Sequence, residues 1–272
     1  MASGVALCLY RAGLRRVLML EVPQPLAVRR TVSFCEAVHN GCQQVENVSA
    51  RLAYTPGEIE QAWAQGEMAV APDPAWELIK AMSPRLVIDA TLAKRNLGTR
   101  QDEAPLVIAL GPGFTAGVDA HLVVETQRGH NLGRVYKKGS AEPNTGIPGP
   151  VEGYTTERVL RAPCSGTVQA AHALGDSVKK GEVICSVDGQ EVYASISGVL
   201  RGLIRPEVWV EKGLKIGDID PRGQAEYCWS ISEKARSIGN AVLGNVCGTL
   251  AEEAFARLHR ADELWQPGRP AL

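Results

Sequence analysis

The sequence predicts a mostly parallel α/β domain, then an all-β domain and closing helices. Three observations carry that prediction. Short continuous apolar runs alternate with capped helical stretches over residues 1–125, a Gly/Pro-rich basic loop or linker fills 126–157, and a gapless internal repeat occupies 158–222. Helices are expected over 223–265 and a loose tail over 266–272. With 45% hydrophobic and 22% charged residues in 272, the chain has enough apolar material for packed domains and is not a disordered polymer.

Residues 3–12 place Val5, Leu9 and Tyr10 at helical spacing and stop at Gly13, and Arg16-Val-Leu-Met-Leu-Glu21 reads as a short buried strand. Thr55-Pro-Gly-Glu58 is a capping box with proline at the first helical position, opening a helix to about Gly66, and Asp73-Pro-Ala-Trp opens another through Met82. Strands are expected at 68–71, 86–90, 106–110 and 122–125, continuous apolar runs of the kind covered on both faces in parallel sheets. One mostly parallel sheet of Rossmann type, lacking its first strand, is the simplest closure.

In such a fold ligands sit beyond the carboxyl ends of the strands. Glu21 lies where a dinucleotide fold places its ribose-binding acid. Asp89 ends a strand and is followed by Lys94, Arg95 and Asn96, which suit either phosphate or a solvated loop. Gly111-Pro-Gly113-Phe-Thr115-Ala-Gly117 follows another strand and has the composition of an anion-binding nest. Asp119, His121, Glu125 and His130 come next, with Arg128 and Arg134 among them. These carboxylates and imidazoles suit metal binding or proton transfer, or merely the holding of backbone amides; their spacing matches no metal-binding helix or hairpin pattern, so no metal ligands are assigned. Arg128, His130, Arg134, Lys137 and Lys138 make the first half of 126–157 basic, as a flap over an anionic ligand would be.

Lys plus Arg total 29 against 30 Asp plus Glu, so the chain has no overall field to draw it onto nucleic acid or an acidic membrane. No apolar run approaches the roughly 20 residues of a membrane helix. Seven cysteines include no C-x-x-C pair and no secretory signal leads the chain, which favours a cytoplasmic protein with buried thiols. Cys228, just before a helix start, is where a thiolate would be favoured.

The repeat is the most specific signal. Arg161-Ala-Pro-Cys-Ser-Gly166 and Gly175-Asp-Ser-Val-Lys-Lys-Gly181 recur as Tyr193-Ala-Ser-Ile-Ser-Gly198 and Val208-Trp-Val-Glu-Lys-Gly213, offset by 32 residues throughout. Two intertwined halves of this kind resemble the biotinyl and lipoyl domains, a β barrel-sandwich hybrid. Carrier members display a modified lysine on the hairpin between halves. Here that turn is Val187-Asp-Gly-Gln-Glu191, so there is no biotin or lipoyl attachment lysine. Lys179, Lys180, Lys212 and Lys215 at the other turns read as surface charges. Lys215-Ile-Gly-Asp-Ile-Asp-Pro-Arg222 reads as an Asp–Arg clasp. Ser230-Ile-Ser-Glu233 caps a helix to about Val246, with Gly239 and Gly244 allowing close approach, and Thr249-Leu-Ala-Glu252 caps another to about His259.

Glu21-Val-Pro-Gln-Pro-Leu-Ala-Val-Arg-Arg30, Val87-Ile-Asp-Ala-Thr-Leu-Ala-Lys-Arg-Asn96, the 111–117 loop with Glu125-Thr-Gln-Arg-Gly-His130, and the 215–222 stretch together resemble the selenium-dependent molybdenum hydroxylase accessory proteins. The resemblance implies a role beside xanthine dehydrogenases or purine hydroxylases, with the hydroxylase subunits as partners and a nucleotide or molybdopterin dinucleotide as ligand. Family members begin with a strand and a glycine-rich turn before the Ser-Gly found here at 3–4; this chain lacks them, which suggests a start placed too late. Candidate ligand residues are Glu21, Arg29, Arg30, Asp89, Lys94, Arg95, Gly111, Gly113, Thr115, Gly117, Arg128 and His130. Two alternatives stay open at this point. One is an enzyme that activates a selenium or sulfur donor through Asp119, His121 and Glu125; the other is a docking module for the hydroxylase.

Overall fold

A computed structural model describes the backbone of residues 1–264 and the side chains through residue 252; the expected tail at 266–272 lies outside the described residues. The chain begins with α1 (Ala2–Arg11), β1 (Leu18–Glu21), α2 (Ala37–Asn40), β2 (Cys42–Val45), β3 (Val48–Leu52), α3 (Pro56–Ala64), β4 (Met68–Pro72) and α4 (Glu77–Met82). The expected capping box forms at α3. Thr55 Oγ1 accepts from the Glu58 amide at 3.2 Å, and the Glu58 carboxylate accepts from the Thr55 amide at 3.0 Å. The helix expected to open at Asp73-Pro-Ala-Trp starts later, at Glu77 after a left-handed Trp76, and the Asp73 carboxylate accepts from the amides of Glu77 and Leu78 from outside the helix. The first sheet has the order β1-β4-β3-β2, parallel except for β2.

Next come β5 (Leu86–Asp89), β6 (Leu106–Leu110), β7 (Thr115–Ala116), β8 (Leu122–Val124), β9 (Val135–Tyr136) and β10 (Gly139–Ser140). Strands β5, β6 and β8 are parallel neighbours, β9 runs antiparallel to β8, and β7 pairs with β10. The sequence reading closed the strands it expected, here β1, β4, β5, β6 and β8, into one sheet; the structure divides those five between two. The reason lies in α1, which is apolar on both sides. Ala6, Leu7 and Tyr10 pack with Val48, Met68 and Val70 of the first sheet, whereas Val5 and Leu9 pack with Ile108, Leu110 and Val124 of the second. A helix buried on two faces holds the sheets apart as separate layers. Strands β9 and β10 fall inside 126–157, so part of that expected linker belongs to the α/β region.

The β domain comprises β11 (Val159–Arg161), β12 (Gly166–Ala170), β13 (Ser177–Val178), β14 (Val183–Val187), β15 (Gln190–Tyr193), β16 (Gly198–Leu203), β17 (Trp209–Val210) and β18 (Lys215–Asp220). Two antiparallel four-stranded sheets form, β11-β18-β16-β13 and β15-β14-β12-β17, and each sequence half gives two strands to each sheet. Equivalent hydrogen bonds follow the repeat. The Lys180 amide donates to Ser197 Oγ at 2.9 Å and the Lys212 amide to Ser165 Oγ at 3.0 Å; the Gly181 and Gly213 amides donate to the Ala194 and Ala162 carbonyls, both at 2.8 Å. Leu160, Val168, Ile184, Leu200, Ile216 and Ile219 give this domain its own core. The hairpin at Asp188 is fixed, its carboxylate accepting from the Thr167 amide at 2.8 Å.

The C-terminal part is one helix, α5 (Glu233–Leu264), and not two. Thr249, expected as a cap, sits inside it, and its hydroxyl donates to the Asn245 carbonyl one turn back at 3.1 Å. Helix α5 packs on α1 where both lack side chains: a Cβ on Gly239 would lie 2.6 Å from Cys8 Sγ, and one on Gly4 would lie 2.8 Å from Ala235 Cβ. Gly244, expected to do the same, faces open space. Among the described residues no helix is long and apolar enough to cross a membrane.

Candidate functional site

Because β5, β6 and β8 are parallel and in register, with Asp89 beside Ala109 and Leu110 beside Val124, their carboxyl ends open in one direction. The Gly111 amide donates to the Val124 carbonyl at 2.8 Å. Gly113 then takes φ 106°, and a Cβ there would lie 2.5 Å from the backbone N and Cα of Arg95. Only glycine lets the loop pass so close. Two candidates far apart in sequence, the 111–117 loop and Lys94–Arg95, are thereby in contact.

Most carboxylates here are committed to shaping loops. Buried Asp89 accepts from the Thr91 amide at 2.9 Å, the Thr91 hydroxyl at 2.7 Å and the Thr99 hydroxyl at 2.6 Å. Glu125, wholly buried, accepts from the amides of Thr126, Gln127 and Glu142, each at 2.7 Å. Asp119 accepts from the Thr115 amide at 2.7 Å and the Asn96 side-chain amide at 3.1 Å, and His121 Nδ1 accepts from the Val107 amide at 2.9 Å. Of the two readings of Asp119, His121 and Glu125, these bonds favour the holding of backbone amides, since their lone pairs satisfy backbone donors that would otherwise go unpaired. No group of three or more His, Cys, Asp or Glu side chains among the described residues is gathered as a metal would need.

Two arginines move from ligand candidates to structural roles. Arg29 donates to the carbonyls of Tyr227 at 2.5 Å and Ser230 at 3.1 Å; burial and neighbouring Arg201 push its pKa down to about 10. Arg30 Nε donates to the Leu203 carbonyl at 2.9 Å, tying the α/β part to the β domain. Glu21 ends a strand of the other sheet; burial raises its pKa against the opposing bond from the Val22 amide. Thr115 Oγ1 lies 3.2 Å from Ser140 Oγ, the Gly117 amide donates to the Ala120 carbonyl at 2.8 Å, and His130 is exposed. An open depression of about 490 Å³ beside the loop is lined by Asn96, Thr99, Arg100, Asp102, Val118 and Asp119.

The densest charge lies at the seam between the β domain, the connector and the start of α5. Buried Asp218 takes Arg158 Nη1, Arg201 Nη2 at 2.5 Å and Lys215 Nζ at 3.4 Å; buried Asp220 takes Arg201 Nη1 at 2.8 Å and Arg222 Nη2 at 2.6 Å. Burial works to raise both carboxyl pKa values, but the surrounding cations and their hydrogen bonds win and hold both below the ordinary range. Arg222 reaches Glu233 at 3.8 Å, and Glu233 pairs with Arg128, whose side chain packs against Gly149. The Gly149 carbonyl accepts from Arg158 at 3.1 Å, linking the connector to the same network.

Sequence reasoning passed over Arg158, Arg201 and Lys234, and placed Lys215 on the surface. Lys215 is instead half-buried, and burial lowers its pKa against the pull of Asp218. The repeat held the missing signal: its two halves differ in charge at Gln169/Arg201, Ser186/Asp218 and Gln190/Arg222, the positions facing the seam. Cys228 is also corrected. It is fully buried, its Sγ 3.8 Å from the Leu200 carbonyl, and burial raises its pKa where a helix start was expected to favour the thiolate.

No family model matches the chain. It is 51% identical over 242 residues to the Escherichia coli (strain K12) protein named Uncharacterized protein YqeB, covering 89% of this chain and 44% of that one. This chain thus spans less than half the length of that relative. Among solved structures, the ectoine utilization protein EutE (DoeB) from Ruegeria pomeroyi is 18% identical, covering 30% of this chain and 27% of its own, with a TM-score of 0.22. A succinylglutamate desuccinylase/aspartoacylase from Rhodobacter sphaeroides is 14% identical over 75% of this chain and 84% of its own, with a TM-score of 0.23. Overlaps this slight carry no argument.

Proposed function

We propose that this protein is a cytoplasmic accessory factor for a selenium-dependent molybdenum hydroxylase of the xanthine dehydrogenase or purine hydroxylase type, and that it holds an anionic cofactor during maturation. Its partners are the hydroxylase subunits, and its ligand is a nucleotide or molybdopterin dinucleotide. One observation carries this reading: beyond the ends of parallel strands, a glycine loop packs on the Lys94–Arg95 backbone. The parallel order β5-β6-β8 supports a Rossmann-like assignment for the first part. The paired sheets with their 32-residue correspondence support a barrel-sandwich hybrid for 158–222.

The residues fit an anion, since ammonium and guanidinium groups make charge-assisted hydrogen bonds to phosphate. Lys94, Arg95 and Arg128 would hold the phosphates, and a bound molybdopterin dinucleotide would supply the molybdenum-bearing pterin. The donor-activating enzyme loses support because Asp119, His121 and Glu125 serve loops. Titration of the chain with nucleotides and molybdopterin dinucleotides, together with co-purification from cells producing the hydroxylase, tests the proposal. Binding and co-purification are expected; absence of both overturns it.

A further inference from the structure

The seam network is unbalanced. Among the described residues five cations, Arg128, Arg158, Arg201, Lys215 and Arg222, are joined by ion pairs to three carboxylates, Asp218, Asp220 and Glu233. Lys234, next to Glu233 at the start of α5, adds another positive charge and makes no ion pair or hydrogen bond among the described residues. Burial lowers its pKa; Arg128, Lys94 and Lys215 lower it further, and Glu125 is the opposing group. Glu125 is already engaged by three amides. Like charges gathered in a half-buried place destabilise the protein unless something neutralises them. Arg158 and Arg201 are each less than a tenth exposed, so they cannot turn to solvent for relief.

We propose that the solvent-reaching edge of this network, where Arg128 and Lys215 are partly exposed and Lys234 follows the Glu233 that pairs with Arg128, binds the diphosphate group of a small ligand. The positive surplus matches the paired negative charges of a diphosphate better than a single carboxylate would. Arg128 presents a planar fork for two oxygens, and the two lysines present mobile point charges. The three side chains come from the connector, β18 and α5, so the site exists only when the β domain is seated on the α/β part. It deepens the accessory-factor reading by naming where the phosphates of the cofactor lie. It also shifts the centre of binding from the glycine loop toward the β domain.

Calorimetric titration of the full chain with inorganic pyrophosphate, ADP and a dinucleotide, at low and high salt, provides the test. Lys234→Met is the decisive variant, because Lys234 holds no partner whose loss would unfold the chain; Lys215→Met is the second variant and Lys180→Met, at an exposed turn, the control. Unfolding midpoints without ligand check that the variants are folded. Pyrophosphate is expected to bind, more weakly in high salt, with affinity falling roughly tenfold or more in each seam variant and unchanged in the control. Tighter binding of ADP or the dinucleotide than of pyrophosphate identifies a nucleotide as the source of the diphosphate; the reverse order identifies free pyrophosphate. Failure of pyrophosphate to bind overturns the site, as does wild-type affinity in the folded Lys234→Met variant. Nucleotide binding and hydroxylase co-purification that survive both seam variants remove this site and leave the accessory role standing. Seam-dependent pyrophosphate binding without co-purification does the opposite.

Discussion

At Asp220 a carboxylate with 1% exposure is kept charged by Arg201 and Arg222, and at Asp218 the same arginine is shared with Arg158 and Lys215. Arg201 is the hinge of both groups, and removing it strands two buried anions. Arg201→Met should therefore cost about 3–5 kcal/mol, read as a lower urea midpoint. The pH dependence has a definite sign. Both carboxyls have folded pKa values below their unfolded ones, so they contribute stability that is fully present above about pH 4 and is lost as pH falls through the folded values. Asp220→Asn should flatten the loss of stability on acidification below about pH 4, measured by urea titrations across that range. The pattern of charge that makes this network could be glimpsed in the sequence only as asymmetry within the repeat, because nothing in residue order says that Arg158 and Arg201 meet the same aspartate.

The helix pair α1/α5 carries the element-scale logic. Its contact depends on Gly4 and Gly239, where each backbone lies against the other helix, and the pair fills the space between two sheets. Gly239→Leu should force the helices apart and lower stability by ~1–3 kcal/mol or more, seen as a drop in Tm in thermal unfolding. The helix cap at Thr55 and the 32-residue repeat were legible in the sequence because their signals are local: side-chain oxygens within a few residues of the amides they serve, and paired residues at one fixed offset. The division into two sheets was not legible. Apolar runs mark buried strands but do not say which strand lies beside which, and the helical spacing of Val5, Leu9 and Tyr10 does not say that α1 is covered on two sides. Thr249 misled for a related reason, since a threonine hydroxyl serves equally as an N-cap or as a bond to the preceding turn.

For the molecule as a whole, the decisive contacts are those that seat the β domain. Arg205 Nη2 reaches Glu36 at 2.8 Å and Asn40 at 2.7 Å, while Arg30 holds the Leu203 carbonyl. Glu36 is 3% exposed, so Arg205→Ala would leave its charge buried and unpaired. That variant should loosen the domain interface, giving faster proteolytic cleavage in the 143–150 stretch and weaker pyrophosphate binding, with the β domain itself still folded on its own core. The sequence by itself determined the alternation of capped helices and buried strands, the duplicated β domain, the absence of a carrier lysine and the glycine loop after β6, all of which rest on short-range stereochemistry and periodicity. Only the tertiary structure decided that Arg29 and Arg30 fasten domains, that Asp119, His121 and Glu125 hold loops, and that an excess of positive charge gathers at the seam. Those outcomes depend on which distant side chains share a buried volume, and burial is a property of the assembled chain rather than of any segment within it.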